Sequence, residues 1–380
     1  MSWFAFALIC LLGWGFADLF YRLGTDENDR YSHIKIGVWV GLVMGVAALI
    51  MLPFSESFAP MFKGITHFFR DIIHGKKSAE TPEIKGLGEF LLSAVKYSPA
   101  SLCYIISMVI GYAGLRYLET SIVSPVQNAS GAFSAIAMFV WFSVKGTLGS
   151  FSEEFSVLDI IGTILIVAGV IALGIVENRL SKNELKEEKD SKKYRYGALA
   201  LLFPILYCIF DTIGTSADGI ILDEETGLGL GEIDVLILYG LTFLLAGIGG
   251  YLFLRIKTGK WYNPFQASEK YKAIAALCEE AGQIFYVFAM AKNPVIAAPM
   301  VASYCIVSVL LARLVVKEKL NLWQYLCVLV VIIGIVLLGI SEGLGEKEEA
   351  VEETAQETAS MFEQIRMQLA TLSDDTALMV

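Results

Sequence analysis

The chain has 380 residues, of which 56% are hydrophobic and 18% charged, and its formal net charge is −10. An ordinary soluble core cannot bury that much apolar surface, and a chain with this acidic balance has no claim on nucleic acid as a partner. Much of the negative charge lies after Glu342, so the rest of the chain is close to neutral.

Apolar runs near 20 residues, the length that crosses about 30 Å of hydrocarbon, predict ten membrane-spanning helices. They fall near 2–22, 36–53, 98–117, 121–144, 158–176, 197–217, 235–255, 272–292, 295–316 and 322–341. The first run has no Lys or Arg before it and no Ala-x-Ala-like site, so it is expected to persist as a helix rather than be cleaved as a signal peptide. Its Trp14-x-x-x-Asp18 places an aromatic ring one turn from a carboxylate. Arg22, four residues on, gives Asp18 an internal ion pair.

Between the second and third runs, residues 58–74 carry Met61, Ile65, Phe68, Phe69, Ile72 and Ile73 at helical spacing. This predicts an amphipathic helix on the membrane surface. His67, Asp71 and His74 on its polar face have a spacing that fits three metal ligands, but Lys63 and Arg70 beside them favour a solvated face. No metal is expected. The fourth run carries Ser124, Gln127, Asn128, Gly131 and Ser134 around Pro125. Such residues serve tight helix packing as readily as a solute. Two adjacent amides cannot both face one neighbour, however, so Gln127 or Asn128 is expected to face a cavity or solvent.

Residues 177–196 are dense in both signs and read as a linker between two halves. The sixth run repeats the aromatic-to-acid spacing as Tyr207-x-x-x-Asp211, without a basic neighbour for the acid, and Pro204 loosens its backbone ladder. Residues 218–234, with Asp223, Glu224, Glu225, Glu232 and Asp234, are expected to form a polar loop. In the eighth run Glu279 and Glu280 sit in the middle third, and Gln283 and Tyr286 continue the Glu279 stripe at i+4 and i+7. A carboxylate at a helix centre costs about 2.5–3.5 kcal/mol and needs a reason. A coupling proton or a cationic solute supplies one; a hydrogen-bonded helix contact near the membrane edge is the structural alternative. The six cysteines lie in separate runs without CxxC spacing and read as packing residues. The tail, 342–380, is expected to be disordered or partly helical, with Phe362, Ile365, Leu369 and Leu372 at helical spacing.

The two halves also align with each other. Residues 117–136 match 291–310, bringing Ile122 onto Ile296, Pro125 onto Pro299 and Ser134 onto Ser308. The runs that follow end alike in Leu173-Gly174-Ile175 and Leu338-Gly339-Ile340. A unit with an odd number of spans re-enters the bilayer upside down when duplicated, so the expected fold is all-α, ten transmembrane helices as two inverted five-helix repeats, 1–176 and 197–341. Polarity breaks the symmetry: the counterparts of Gln127 and Asn128 are Val301 and Ala302, and Tyr304 and Ser308 supply what the ninth run has.

On Trp14-Gly15, the Pro-containing fourth and ninth runs, and Lys317-Glu318-Lys319-Leu320 leading through Gln324 to Gly334, residues 1–341 resemble the EamA-like, ten-span branch of the drug/metabolite transporter superfamily. The resemblance implies a carrier with two inverted repeats, moving small organic solutes by alternating access in the plasma membrane of a bacterium. Val144-Lys145-Gly146 departs from it, because the first repeat lacks the Lys-Glu-Lys of the second. Most Lys and Arg fall in loops that are cytoplasmic if both termini are external, whereas members of the superfamily usually keep both termini inside. The orientation stays open.

The expected function is therefore secondary transport of a small organic metabolite or drug-like solute, with proton or sodium coupling compatible. No nucleotide-binding loop is present, so ATP is not expected to drive it, and neither enzymatic activity nor a cofactor is expected. The alternatives are an intramembrane enzyme acting on lipid-linked substrates and a non-transporting scaffold using its acidic tail. The candidate solute or ion site comprises Glu279, Glu280, Gln283, Asp211, Tyr207, Gln127, Asn128, Trp14, Asp18 and Tyr304, with the lipid bilayer as the other partner.

Overall fold

The computed structural model describes residues 1–26, 28–55, 57–73, 86–115, 117, 123, 126–147, 155–187, 202–223, 225–317 and 320–345. These form α1 (Trp3–Gly24), α2 (Ser32–Met51), α3 (Ala59–Ile73), α4 (Leu87–Gly114), α5 (Ser130–Lys145), α6 (Val157–Glu187), α7 (Leu202–Leu222), α8 (Glu232–Thr258), α9 (Lys270–Lys292), α10 (Pro294–Ala302), α11 (Tyr304–Leu311) and α12 (Leu322–Gly345). Among the described residues nine helices are long and apolar enough to cross a membrane, counting α10 and α11 with their extension to Val315 as one. Their outer faces carry exposed Leu, Ile and Val, such as Leu12, Ile136, Leu245 and Ile332, while serines, tyrosines and acids are buried within. That inversion suits lipid rather than water as the surrounding solvent. The chain is a helical, multi-pass membrane protein.

Several boundaries differ from expectation. The fourth run is represented by α5, 16 residues and so about 24 Å long, preceded by helical residues 126–128. Pro125 and Ser124 lie outside the described residues. α4 starts at Leu87, about three turns before its apolar run, because Glu89 and Lys96 can stay near its exposed end. α6 continues through Glu187 into the charged segment, where helix-forming Leu, Glu and Lys extend it. The polar loop expected at 218–234 is shorter: α7 runs to Leu222 and α8 begins at Glu232. Asp218 is thus helical and wholly buried, and Asp234 is buried where Ser55 Oγ donates to its Oδ1 at 2.5 Å. Both acids in the first turn of α8, Glu232 and Asp234, sit where the helix dipole favours negative charge.

The amphipathic segment forms α3, whose Met61 packs into the core with Phe58. The side chain of Asp71, and His74 altogether, lie outside the described residues, as do residues 188–196 of the linker, 197–201 at the start of the sixth run and 346–380 of the tail.

The expected ninth span is interrupted. Pro299 lacks the N–H that would continue the helical ladder, and four residues later the chain breaks at Ser303 (φ −70°, ψ 1°), whose N–H and Oγ both turn back to Met300 O at 3.1 and 2.6 Å. In the first half the corresponding position is Ala129, and it too is a turn, between helical residues 126–128 and α5.

The tightest helix contacts each join a helix from before the linker to one from after it: α1 with α9, α2 with α8, α4 with α7, and α5 with α10. α6 meets α12 in the same way, with Ser156 Oγ and Ser341 Oγ 2.6 Å apart. Small residues permit these approaches. A Cβ on Gly13 would lie 3.1 Å from Gly282 Cα, one on Gly162 2.9 Å from Gly334 O, and one on Gly41 2.8 Å from Gly247 Cα and closer still to Phe243 O.

At Gly41 the obstacle is backbone and cannot rotate aside, so Gly41→Val is expected to lower stability by about 1–3 kcal/mol, read as thermal unfolding in detergent. Gly249→Val, on a face of α8 with nothing within 4 Å, is the control and should shift the transition little. Equal stability of the two variants would mean that α2 and α8 are not held at this crossing.

Candidate functional site

Three helical stripes converge on the bundle centre. On α7, Tyr207, Asp211, Thr215 and Asp218 follow at spacings of four, four and three; on α9, Glu279, Gln283 and Tyr286 at four and three. On α4, Tyr97, Tyr104, Met108 and Gly111 share one face. Between them lie two adjoining cavities. The larger by extent of lining, with room for about 40 Å³, is lined by Trp14, Tyr104, Met108, Asn128, Ser130, Gly131, Tyr207, Asp211, Thr215, Tyr239, Glu279, Gln283, Tyr286, Ala298, Val301, Ala302 and Tyr304. The smaller in lining, with about the same room of 40 Å³, shares Trp14, Met108, Tyr207, Glu279 and Tyr304 and adds Asp18, Tyr21, Gly111, Tyr112, Leu115 and Gln127.

The cavity walls are held from outside by packing. Gly282 carries no Cβ because one there would collide with the Trp14 ring, so α9 approaches α1 closely enough for Trp14 Nε1 to donate to Glu279 O at 3.3 Å. The Trp14 ring then stacks, tilted, on Tyr286 at 5.1 Å and meets Tyr304 edge-on at 5.7 Å. On the opposite wall α5 crosses the interrupted span at Gly131, where a Cβ would collide with that of Ala302 and lie 2.7 Å from Ala298 O. This crossing brings Ser130 Oγ to Asp211 Oδ2, to which it donates at 2.6 Å, and Ser134 Oγ to Thr212 O at 3.3 Å.

Below Asp211 a hydroxyl network continues. Tyr104 Oη donates to Thr215 Oγ1 at 3.3 Å and lies 2.8 Å from Tyr286 Oη, and Tyr97 Oη donates to Asp218 Oδ1 at 3.0 Å. Buried polar atoms without a hydrogen-bond partner include Gln283 Nε2 in the larger cavity and Gln127 Nε2, Tyr21 Oη and Tyr112 Oη in the smaller, together with Asp218 Oδ2 in the network below. Among the described residues that line either cavity, Asp18, Asp211 and Glu279 are the charged side chains, and no Lys, Arg or His accompanies them.

Beyond the cavities, at the end of the bundle where α1 stops, a separate ionic cluster joins two connections. Lys272 Nζ lies 2.7 Å from Glu269, Tyr262 Oη donates to Glu269 Oε2 at 2.9 Å, and Lys35 Nζ lies 2.7 Å from Asp29 Oδ2 and 5.3 Å from the centre of the Tyr262 ring. Burial, and then the Glu269 carboxylate, hold the Tyr262 hydroxyl well above its usual range, so it remains a donor. Burial alone would raise Asp29, but the hydrogen bonds from Lys35 and the Tyr31 N–H outweigh it and hold the carboxyl below its ordinary value.

Nine of the ten residues picked out in the sequence line these cavities. Glu280 does not: it is one residue, or about 100°, around α9 from Glu279 and lines neither cavity. The two adjacent amides that precede α5 both reach a cavity, but different ones, Asn128 the larger and Gln127 the smaller. Asp18 and Asp211, matched in the repeat, likewise divide between the two. The structure adds residues that sequence reasoning passed over, chiefly Asp218, Tyr104, Thr215, Ser130 and Tyr239. The α7 stripe offered a signal for Asp218 and Thr215; tyrosines within an apolar run offered none.

Fold and site together define a multi-span helical membrane protein with an acidic, tyrosine-lined centre. No protein-family model and no curated protein matches the chain. A solved structure described as "Crystal structure of protein" matches over 87% of this chain and 97% of its own, at 12% identity and a TM-score of 0.48. A likeness that distant carries no argument about function.

The Tyr97–Asp218 contact is wholly buried, which makes breaking it asymmetric. Tyr97→Phe leaves a carboxyl without its donor and is expected to cost about 1–3 kcal/mol of thermal stability in detergent, whereas Tyr97→Phe combined with Asp218→Leu should cost less than the two single changes added together. Strict additivity would show that the two side chains do not interact.

Proposed function

We propose that the protein is a secondary transporter that carries a small organic solute across the membrane by alternating access. The observation that carries this reading is the position of the larger cavity. Asp211 and Glu279 face it from α7 and α9, and its wall is the crossing of α5 with the interrupted span α10–α11. Irregular backbone at membrane depth is tolerated where it lines a cavity, and interrupted helices at a midplane site are a recurrent feature of carriers.

The helix pairing favours the inverted-repeat form of this reading. If each span of the first half is exchanged with the span five places later, the α1–α9 contact becomes α7–α4, α1–α10 becomes α7–α5, and α2–α9 becomes α8–α4, all of which occur. The α2–α8 and α5–α10 contacts map onto themselves. A ten-span arrangement of two five-helix repeats, the architecture of EamA-like drug/metabolite transporters, accounts for that pattern and for the matched turns at Ala129 and Ser303. On this reading the two halves rock about the self-paired crossings, and Trp14 and Tyr207, which border both cavities, separate the compartments as one opens and the other closes. The carboxylates supply a place for a coupling proton or a cation.

Purified protein in proteoliposomes, tested across a metabolite panel with and without a pH gradient, is expected to give solute flux. Asp211→Asn and Glu279→Gln should each lower that flux by about tenfold or more. Removing residues 346–380 should leave it within about twofold, since every described residue that lines the cavities precedes them; a scaffold that works through its tail would lose its function instead. Flux equal to the parent's in both carboxyl variants would overturn the assignment of the site, and product formation from a lipid-linked substrate without any gradient would replace transport by catalysis.

A further inference from the structure

We infer that the two ends of the bundle are held shut by latches of unlike chemistry, an ionic one where α1 stops and an acid–hydroxyl one where α2 stops, each governing access to the cavities from its own end. This rests on the reading of two halves that rock against each other, and it names the contacts that must part.

The ionic latch is built from one charge pair in each half. Asp29 and Lys35, 2.7 Å apart, belong to the first half; Glu269 and Lys272, also 2.7 Å apart, belong to the second, with Tyr262 donating to Glu269. The pairs meet across the boundary: Lys35 Nζ lies 5.3 Å from the centre of the Tyr262 ring, and the Lys272 charge reaches Asp29. Lys272 is 4% and Glu269 7% exposed, so theirs is a buried pair rather than a solvated surface one. Gly24 lets it in, since a Cβ there would lie 3.0 Å from Lys272 Cγ and 3.2 Å from its N. Gly24 is about one turn beyond Tyr21, which lines the smaller cavity. Because each half keeps its own pair, parting the halves here strands no charge without a partner.

At the opposite end both ties join a carboxylate of the second half to a hydroxyl of the first. Ser55 Oγ donates to Asp234 Oδ1, and Tyr97 Oη donates to Asp218 Oδ1 at 3.0 Å. Both acids are buried, and Asp218 is about one turn from Thr215, which lines the larger cavity. Parting the halves here takes a donor from each acid, and water entering from that end replaces it.

The helix pair α2 and α8 links the two latches. Lys35 is near the start of α2 and Ser55 just past its end, while Asp234 is in the first turn of α8 and Tyr262 just past its end. Between these ends the two helices cross at Gly41 and Gly247, where a Cβ on Gly247 would lie 3.0 Å from Gly41 Cα. Rocking about that crossing opens one latch as it closes the other.

The test uses cysteine-free protein carrying Asn128→Cys in oriented vesicles, without a solute gradient, with a membrane-impermeant maleimide applied to one side at a time. Lys260→Cys and Glu225→Cys, exposed in the connections at the ionic and the opposite end, assign each end to a side. Lys272→Met with Glu269→Gln, or Asp29→Asn with Lys35→Met, removes a whole charge pair. Each double variant is expected to raise labelling from the ionic end about threefold or more and to lower it from the other. Ser55→Ala with Asp234→Asn, or Tyr97→Phe with Asp218→Asn, is expected to do the reverse. The thermal transition of each variant checks its folding, and the second pair of changes at each latch guards against a variant that does not fold. No change in the folded variants, an equal rise from both ends, or a rise from the wrong end overturns the inference. Opposite responses of the two latches without flux in proteoliposomes leave the latches standing and remove transport; flux with unchanged sidedness in the folded variants does the reverse.

Discussion

Three carboxylates inside an apolar bundle set the terms for the rest of the molecule. An acid at the centre of a membrane-spanning helix is expensive, and an unpartnered one more so, so Asp211, Asp218 and Glu279 need polar surroundings that the bilayer cannot provide. The tyrosines and hydroxyl groups of α4, α5 and α9 provide them, with Ser130 on Asp211 and Tyr97 on Asp218. Tyrosine suits this position because its ring packs like a hydrophobe while its hydroxyl reaches inward. The need to keep these groups together fixes which face of each helix turns inward, and the lipid-facing apolar residues follow by default.

Close helix approach is what allows the polar centre to stay small. Gly131 against Ala298 and Ala302, and Gly282 against Trp14, bring the backbones near enough that residues from seven spans, counting α10 and α11 as one, share one space. The interrupted span adds a different property. Pro299 has no N–H to give the Val295 carbonyl, and Ser303 turns both its N–H and its Oγ onto the Met300 carbonyl, so the ladder is interrupted there. A wall with a defined break can change shape at that break while the helices on either side stay rigid.

Much of the fold was legible because apolar runs of membrane length are a strong signal, and the amphipathic 58–74 segment is nearly as strong. The helix ends were less legible: α4 and α6 extend beyond their apolar runs, since helical propensity does not stop where hydropathy does. Within the site, Glu279 with Gln283, and Asp211 with Tyr207, stood out because carboxylates and amides are rare in such runs. Asp218 was assigned to a loop because it lies at the edge of its run among polar residues, yet it is wholly buried. Pairing of the tyrosines was hidden for a physical reason: Tyr97, Tyr104 and Tyr286 gain their roles from partners more than a hundred residues away, as the Tyr104–Tyr286 and Tyr97–Asp218 contacts illustrate. The separation of Glu279 from its neighbour Glu280 is simple helical geometry, legible only once the inward face of α9 was known.

The central claim is that the space around Asn128 opens to one side of the membrane and then the other. It can be tested by replacing the six free cysteines, introducing Asn128→Cys, and applying a membrane-impermeant thiol reagent to each side of oriented vesicles in separate experiments. Alternating access predicts labelling from either side, at rates that fall when the cavity is occupied. Labelling from one side only, whatever the solute or gradient, would contradict it.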